Sequence, residues 1–104
     1  MANGHKVYSG DRTIDGCLVT VDGAALPEAL EVARLCEDGF EWSYEGAGPA
    51  QLALAILVDH FGDPARALAE HEGFMRNVVA NFNNEWEMTS EDVERALANI
   101  HAGS

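Results

Sequence analysis

Carboxylates are the commonest side chains in this sequence that can take part in chemistry. Adjacent acids occur at Glu37-Asp38 and at Glu91-Asp92. Two neighbouring carboxyls can act as general acid and general base when the pKa of one is raised. Adjacent acids in a loop or in a first helical turn are usually solvated, and no pattern here predicts a cleft around them. We therefore expect no catalytic residues and a protein that is not an enzyme.

The cysteines and histidines do not form a recognisable metal or nucleophile site. The four histidines are scattered, without HxH or HxxxH spacing, so we predict no metal and no cofactor. A catalytic cysteine needs a base and an electropositive environment, whereas acids predominate around Cys17 and Cys36. We expect the protein in the cytoplasm, where disulfides are rare, so both cysteines are expected to be free thiols. A disulfide between them depends on the separation of their Cα atoms, and the sequence leaves it open.

A glycine-rich turn, Gly46-Ala47-Gly48-Pro49, precedes an apolar helical run. The N-terminus of a helix can bind an anion through its free N–H groups. This turn lacks the Lys and Ser/Thr of a phosphate-binding loop, and Pro49 removes one donor. A plain strand-to-helix turn is therefore favoured.

Net charge is the feature of the composition that is most informative about binding partners. Eighteen acids and six bases give a formal net charge of −12, and the range from Glu85 to Glu94 holds five acids and no base. Such a field repels nucleic acid, because phosphate binding needs Lys and Arg. A basic protein surface is the partner that the charge favours. Acidity can also serve solubility alone, and both interpretations stay open.

The hydrophobic pattern predicts strands first and helices afterwards. Alternating or β-branched runs predict strands at 6–8, 17–21, 24–26 and 40–44, with a further short strand around Trp86 and a tight turn at Asp22-Gly23. One helix is predicted at 49–61, with Gly62 as its C-terminal stop. Two more helices are predicted to follow, one from Asp63 as N-cap and one from Thr89 or Ser90 as N-cap. The range 28–36 stays ambiguous between an irregular strand and a helical turn.

These elements predict one α+β domain over residues 1–104. We expect a small antiparallel sheet of about three to four short strands with three helices, the first of them buried. The apolar run Leu52–Val58 is too short to span a bilayer, so we expect no membrane association.

The run from Gly39 to Leu57, GFEWSYEGAGPAQLALAIL, resembles a family of short uncharacterised bacterial and phage proteins with a GFEWGYxGxGPAQLALALL segment. Weaker similarity extends to Arg12–Gly16, Val19–Gly23, Phe74 and Trp86–Glu91. Ser43 stands where that family usually has glycine. The family has no known function, so the resemblance implies no activity and no catalytic residue.

The resemblance implies a context of phages and mobile elements. Small acidic proteins in that setting often block host defence, and some anti-CRISPR proteins present carboxylates where a nuclease complex expects DNA phosphates. By that analogy, we expect an inhibitor that mimics DNA and acts in the cytoplasm of the host bacterium. Its partner would be a basic protein surface, and the candidates are a host nuclease or a CRISPR complex subunit. We expect no direct binding of nucleic acid.

Two acidic clusters and one tryptophan make up the expected partner-binding surface. Trp42 is expected in the core, whereas Trp86, flanked by acids, is a candidate for an exposed docking residue. The alternative function is a small-molecule or peptide-binding regulatory module that uses a pocket between the sheet and the buried helix. The partner-binding residues predicted are Glu37, Asp38, Glu41, Glu45, Glu85, Trp86, Glu87, Glu91, Asp92 and Glu94.

Overall fold

The first half of the sheet is a hairpin with a short third strand. The computed structural model describes residues 6–37 and 39–102, and in it β1 (Val7–Thr13) pairs antiparallel with β2 (Gly16–Val21). The chain reverses at Asp22-Gly23, with φ of 53° and 87°, into β3 (Ala24–Ala25). Positive φ at both central positions is typical of a two-residue hairpin turn. The predicted Asp-Gly turn is confirmed.

The strand β1 is central because it also pairs with a strand from the other end of the chain. β4 (Glu85–Thr89) lies antiparallel to β1, so the sheet order is β3-β2-β1-β4. Gly10 continues β1 instead of ending it, and a Cβ there would overlap the Trp86 indole. With three helices, these four antiparallel strands confirm the α+β fold class.

Two consecutive helices, α1 (Ala47–Phe61) and α2 (Pro64–Asn77), pack against each other. Gly62 ends α1 in the left-handed conformation, at φ 67°, and its N–H donates to the Val58 carbonyl. The Asp63 side chain then accepts from the first N–H groups of α2. The predicted stop and start are confirmed. The buried residues of α1 are Gly48, Pro49, Gln51, Leu52, Ala53, Leu54, Ala55, Ile56 and Leu57.

The segment between β3 and α1, described over residues 26–37 and 39–46, is irregular and is held by one buried glutamine of α1. The Gln51 side chain is 0% exposed, and its amide makes four hydrogen bonds to backbone groups of this segment. A primary amide offers two donors and about two acceptor positions, so its capacity is filled. This explains why the local sequence leaves residues 28–36 ambiguous. Oε1 accepts from the N–H groups of Leu35 (2.7 Å) and Cys36 (3.1 Å), and Nε2 donates to the carbonyls of Glu28 (2.7 Å) and Ala33 (3.1 Å).

The strand predicted at residues 40–44 is wrong. The backbone there makes no strand pairing and turns at Ser43, which has φ 79°. The Ser43 N–H donates to the Val79 carbonyl (3.1 Å), and its hydroxyl donates to the Phe82 carbonyl (2.6 Å). The alternation of aromatic and polar residues arises because Trp42 enters the core, at 0% exposure, while Tyr44 stays half exposed.

The last helix, α3 (Ser90–Ala102), begins directly after β4 with a reciprocal cap. The Thr89 hydroxyl accepts from the Asp92 N–H (3.1 Å), and the Asp92 carboxylate accepts from the Thr89 N–H (3.0 Å). This arrangement satisfies two backbone donors that the start of a helix would otherwise leave free. The predicted N-cap at Thr89 is confirmed, and α3 buries Val93 and Leu97.

The core lies between the inner face of the sheet and the three helices. It includes both tryptophans and one tyrosine of β1. The Tyr8 hydroxyl donates to Asp59 of α1 (2.8 Å), and burial followed by this hydrogen bond raises the pKa of Tyr8. The largest fully buried side chains are Trp42, Tyr8, Phe74, Leu52, Leu54, Ile56, Leu57, Gln51, Val79, Val93 and Pro49.

Candidate functional site

Three carboxylates project from the outer face of the sheet, which we call the outer acidic face: Asp11, Glu85 and Glu87. Side chains alternate between the two faces of a strand, and in β4 Trp86 and Met88 are buried while Glu85 and Glu87 are exposed. Asp11 of β1 is exposed and lies directly opposite Glu85. The register therefore brings together two predicted acids and one that sequence reasoning missed.

No cation neutralises the outer acidic face within residues 6–37 and 39–102. None of its three carboxylates takes part in an ion pair there. Like charges directly opposite each other on paired strands are destabilising, so the Asp11–Glu85 pair costs stability. On its other side Asp11 lies opposite Leu18 of β2, which is 54% exposed. The face thus combines free negative charge with an exposed apolar side chain beside a shallow depression of about 200 Å³.

The acids predicted between residues 37 and 45 have different environments. Glu37 is exposed, and Asp38 lies outside the described residues. Glu41 pairs with Arg12 of β1, with 3.2 Å between Oε1 and the guanidinium, and Glu45 lies 3.9 Å from Arg76. Glu41 and Glu45 therefore carry compensated charge and are not continuous with the outer acidic face.

Arg12 joins the irregular segment to the inner side of the sheet. Its guanidinium donates to the Trp42 carbonyl (3.2 Å) and lies 5.0 Å from the centre of the Trp42 ring. Glu41, its ion-pair partner, also accepts from the Cys17 thiol at 3.5 Å. Burial, followed by this hydrogen bond, raises the pKa of Cys17. A thiol with a raised pKa is a poor nucleophile, and both cysteines are free.

Of the three predicted acids in α3, one caps the helix, one bonds a histidine of α1 and one is exposed. Asp92 caps the helix and also pairs with Arg95 (3.1 Å). The hydrogen bond from the Thr89 backbone, with a smaller contribution from Arg95, lowers the pKa of Asp92. Glu94 bonds the His60 ring of α1, whereas Glu91 is exposed and takes no ion pair among the described residues.

Trp86 is a core residue, and the expectation of an exposed docking tryptophan is wrong. It is 9% exposed, because the strand alternation that exposes Glu85 and Glu87 turns the residue between them inward. Its ring stacks on Phe82, with 4.2 Å between centroids, and meets Trp42 edge-on at 5.8 Å. The indole N–H groups of both tryptophans are buried, with no hydrogen-bond partner among the described residues.

The glycine-rich turn before α1 is closed by an acidic side chain. Gly48 is buried, and a Cβ there would lie 2.7 Å from the Cβ of Glu41. The close approach of Glu41 explains the glycine and places a carboxylate-bearing residue beside the helix N-terminus. The stem of Glu41 fills the space beside the turn, so the geometry favours the plain turn.

A cavity of about 300 Å³ lies between α1 and the segment that follows β3. Its apolar walls come from both elements, and two carboxylate residues, Glu31 and Asp59, also line it. Asp59 is the acceptor for both Tyr8 and Lys6. Sequence reasoning named neither acid as a site residue. The apolar lining residues are Pro27, Ala29, Ala55 and Val58.

The model of one protein family matches residues 8–99, which is most of the chain and includes the outer acidic face and the cavity. That model describes DUF6166, a family of unknown function. The chain belongs to this family. Neither the comparison with curated proteins nor that with solved structures found a match.

Two kinds of feature are absent from the described part of this DUF6166 chain. No group of three or more His, Cys, Asp or Glu residues in it is placed to hold a metal ion. None of its helices is long and apolar enough to cross a membrane.

Asp11 belongs to the outer acidic face of this DUF6166 chain because β1 pairs with β4, and the sequence alone did not predict that pairing. In the sequence it follows Ser9-Gly10, which is typical of a turn, and its pairing with Glu85 spans most of the chain. The available signal was weak: Asp11 continues an alternation through Val7 and Ser9 that requires Gly10 to lie inside a strand.

Proposed function

We propose that this chain is a non-enzymatic interaction protein that binds a basic protein surface through its outer acidic face. The observation that supports this most is the direct opposition of Asp11 and Glu85, with Glu87 beside them and no compensating cation among the described residues. Opposed like charges cost stability in the free protein. A partner surface rich in Arg and Lys relieves that repulsion, which makes complex formation favourable and fast.

The concrete form of the proposal is inhibition of a nucleic-acid-binding defence complex, such as a CRISPR-Cas effector, by mimicry of DNA. Nucleic-acid sites present Lys and Arg to phosphates, and unpaired carboxylates on an open sheet face offer them an alternative anion. The net charge of −12 also favours binding to a surface that normally binds DNA. In this proposal the protein comes from a phage or mobile element and acts in the cytoplasm of the host bacterium.

The proposal narrows the partner-binding set that the sequence predicted. Glu85 and Glu87 are retained and Asp11 is added, because these carboxylates share one face and are free of ion pairs among the described residues. Glu41, Glu45, Asp92 and Glu94 have partners within the chain, so we assign them structural roles first. Glu37 and Glu91 are exposed acids outside this face.

A DNA-cleavage assay with a panel of purified RNA-guided nucleases tests the proposal. We expect inhibition of at least one complex and a loss of inhibition when DNA is bound before the protein is added. The Glu85→Gln/Glu87→Gln variant should lose inhibition. A matched variant, Glu28→Gln/Glu72→Gln, makes the same charge change at exposed acids elsewhere and should keep it. Inhibition that both variants retain equally, or its absence across the panel, counts against the proposal.

A second candidate function is a regulatory module that binds a small molecule or peptide. The cavity between α1 and the segment after β3 favours it, because apolar walls with a few polar groups are the usual composition of a ligand site. Its volume of about 300 Å³ is at the lower end of such sites. Saturable binding of an uncharged small molecule in this cavity, with no nuclease of the panel inhibited by the wild-type chain, would favour this candidate.

A further inference from the structure

The cavity beside Asp59 has the composition of a receptor for a single cationic side chain. Four apolar residues and two acids line it, and its volume is about 300 Å³. Ligand pockets run from about 300 to about 1,000 Å³, so this one suits one amino-acid side chain better than a cofactor. An occupant needs a narrow apolar stem and a positively charged end.

The Asp59 carboxylate already binds one ammonium group from within the chain. Lys6 Nζ lies 3.1 Å from Asp59 Oδ2 and 3.4 Å from the Asp59 carbonyl oxygen. The Tyr8 hydroxyl donates to the same Oδ2 at 2.8 Å. Both donors use Oδ2, and Oδ1 accepts no hydrogen bond from any residue that the structure describes. One carboxylate oxygen therefore remains available to a further donor.

The charges around this cavity sum to a negative value. Two acids line it, Glu31 and Asp59, and Glu31 takes no ion pair among the described residues. Lys6 is the opposing cation, and it compensates Asp59, one of these two acids. An added positive charge is favoured here, because it is attracted to the carboxylate of Glu31, which Lys6 leaves uncompensated.

One wall of the cavity is preformed. Ala29 is 4% exposed and has φ 61°, a conformation that costs energy for any residue with a Cβ. Its carbonyl accepts from Val32 (3.0 Å) and Ala33 (3.3 Å), and Gln51 holds the same segment. A ligand therefore meets an ordered wall and does not have to organise it.

We infer that this cavity receives the side chain of an arginine from the bound partner. The guanidinium lies against Asp59 and Glu31, and the methylene stem lies against the apolar walls. Arginine fits better than lysine because its planar group carries several donors, is weakly hydrated and can bond two carboxylates at once. The identity of the occupant as part of a protein rests on the proposed function, whereas the chemistry of the cavity does not.

A titration with N-acetyl-arginine methylamide tests the cavity without any partner protein. In spectra of the ¹⁵N-labelled chain, we expect saturable shifts at the amides of Ala29, Ala55 and Val58. N-acetyl-citrulline methylamide has the same shape without the charge and should bind about tenfold more weakly, which corresponds to one charge-assisted hydrogen bond. Equal binding of the two probes, or shifts spread over the whole surface, overturns the inference.

Two variants separate this inference from the proposed function. Glu31→Gln changes an exposed carboxylate of the cavity and should weaken the arginine probe about threefold to tenfold, whereas Glu72→Gln on α2 should not. Glu85→Gln/Glu87→Gln should leave the probe unaffected. If the probe binds in the cavity while the outer-face variant still inhibits nucleases fully, the outer-face proposal fails and the cavity inference stands. If Glu31→Gln leaves probe affinity unchanged, the cavity inference fails whatever the outer face does.

Discussion

Asp11 and Glu85 lie directly opposite each other on neighbouring strands, and both carboxylates point away from the core. Neither takes an ion pair in the part of the chain that the structure describes. Arg12, the next residue along β1, points to the other face and is occupied by Glu41 and Trp42. The strand thus places its cation and its anion on opposite faces of the sheet. The opposed pair is a local electrostatic cost that a partner surface can remove.

Neutralising one member of this pair should stabilise the free protein. We expect Asp11→Asn to raise the free energy of unfolding by about 0.5 kcal/mol at low salt, because cross-strand like charges repel. The gain should shrink at high salt, where exposed charges are screened. Urea unfolding at two salt concentrations measures it, with Glu72→Gln as the control at an exposed helical acid. A loss of stability at low salt would show that Asp11 has a favourable partner.

The buried amide of Gln51 should be the most sensitive polar position in the fold. Gln51→Leu keeps much of the volume but leaves two N–H groups and two carbonyls of the irregular segment without partners. Buried unsatisfied groups cost about 1–3 kcal/mol each, and relaxation of the loop reduces the sum. We expect a loss of about 3–5 kcal/mol in the free energy of unfolding.

Hydrogen exchange locates the effect of this change. The Leu35 and Cys36 amides, which donate to Gln51 Oε1, should lose protection, while β1 amides paired with β4 should keep theirs. A Gln51→Leu protein with unchanged stability and unchanged protection at Leu35 would contradict the assigned role.

Ser43 should be strained by its backbone conformation, at φ 79°. Comparing Ser43→Gly with Ser43→Ala separates strain from the hydrogen bond to Phe82, because both variants lose the hydroxyl. Residues with a Cβ cost about 1–2 kcal/mol in the left-handed region. We therefore expect the glycine variant to exceed the alanine variant in the free energy of unfolding by about that amount. An alanine variant as stable as the glycine variant would show that the turn carries no such strain.

The cap at the start of α3 should make stability fall in acid. The Thr89 backbone hydrogen bond holds the pKa of Asp92 below its usual range, so the folded state binds this proton less readily than the unfolded state. The contribution is present above the ordinary carboxyl pKa of about 3.9 and is lost as pH falls through the lowered value. Asp92→Asn should make the free energy of unfolding depend less on pH in acid. Urea unfolding between about pH 6 and about pH 2 measures this dependence. An unchanged acid slope would exclude the role.

Local signals in the sequence predict the elements of this fold better than their assembly. The Asp22-Gly23 turn, the Gly62 stop and the Thr89 cap depend on short-range backbone chemistry, and each is confirmed. The strand predicted at 40–44 is wrong because its alternation comes from Trp42 entering the core beside a turn at Ser43. Period-2 alternation alone does not require pairing with a neighbouring strand.

The candidate site could be predicted from the sequence only in part, because part of it depends on contacts between residues far apart in the chain. The exposure of Glu85 and Glu87 follows from strand alternation, but the same alternation buries Trp86 between them. The addition of Asp11 depends on a pairing between residues that lie far apart in the chain. The compensation of Glu41 by Arg12 is also long-range, so counting acids overestimated the free charge near residue 41.

The most direct test of the outer acidic face compares two variants of equal net charge against one inhibited nuclease. Displacement of labelled DNA from that complex would be measured at about 50 mM and about 200 mM salt. We predict strong displacement by the wild type at low salt and weaker displacement at high salt. Glu28→Gln/Glu72→Gln should behave like the wild type, and Glu85→Gln/Glu87→Gln should displace little DNA at either concentration. Equal displacement by the two variants would contradict a role for the position of these carboxylates.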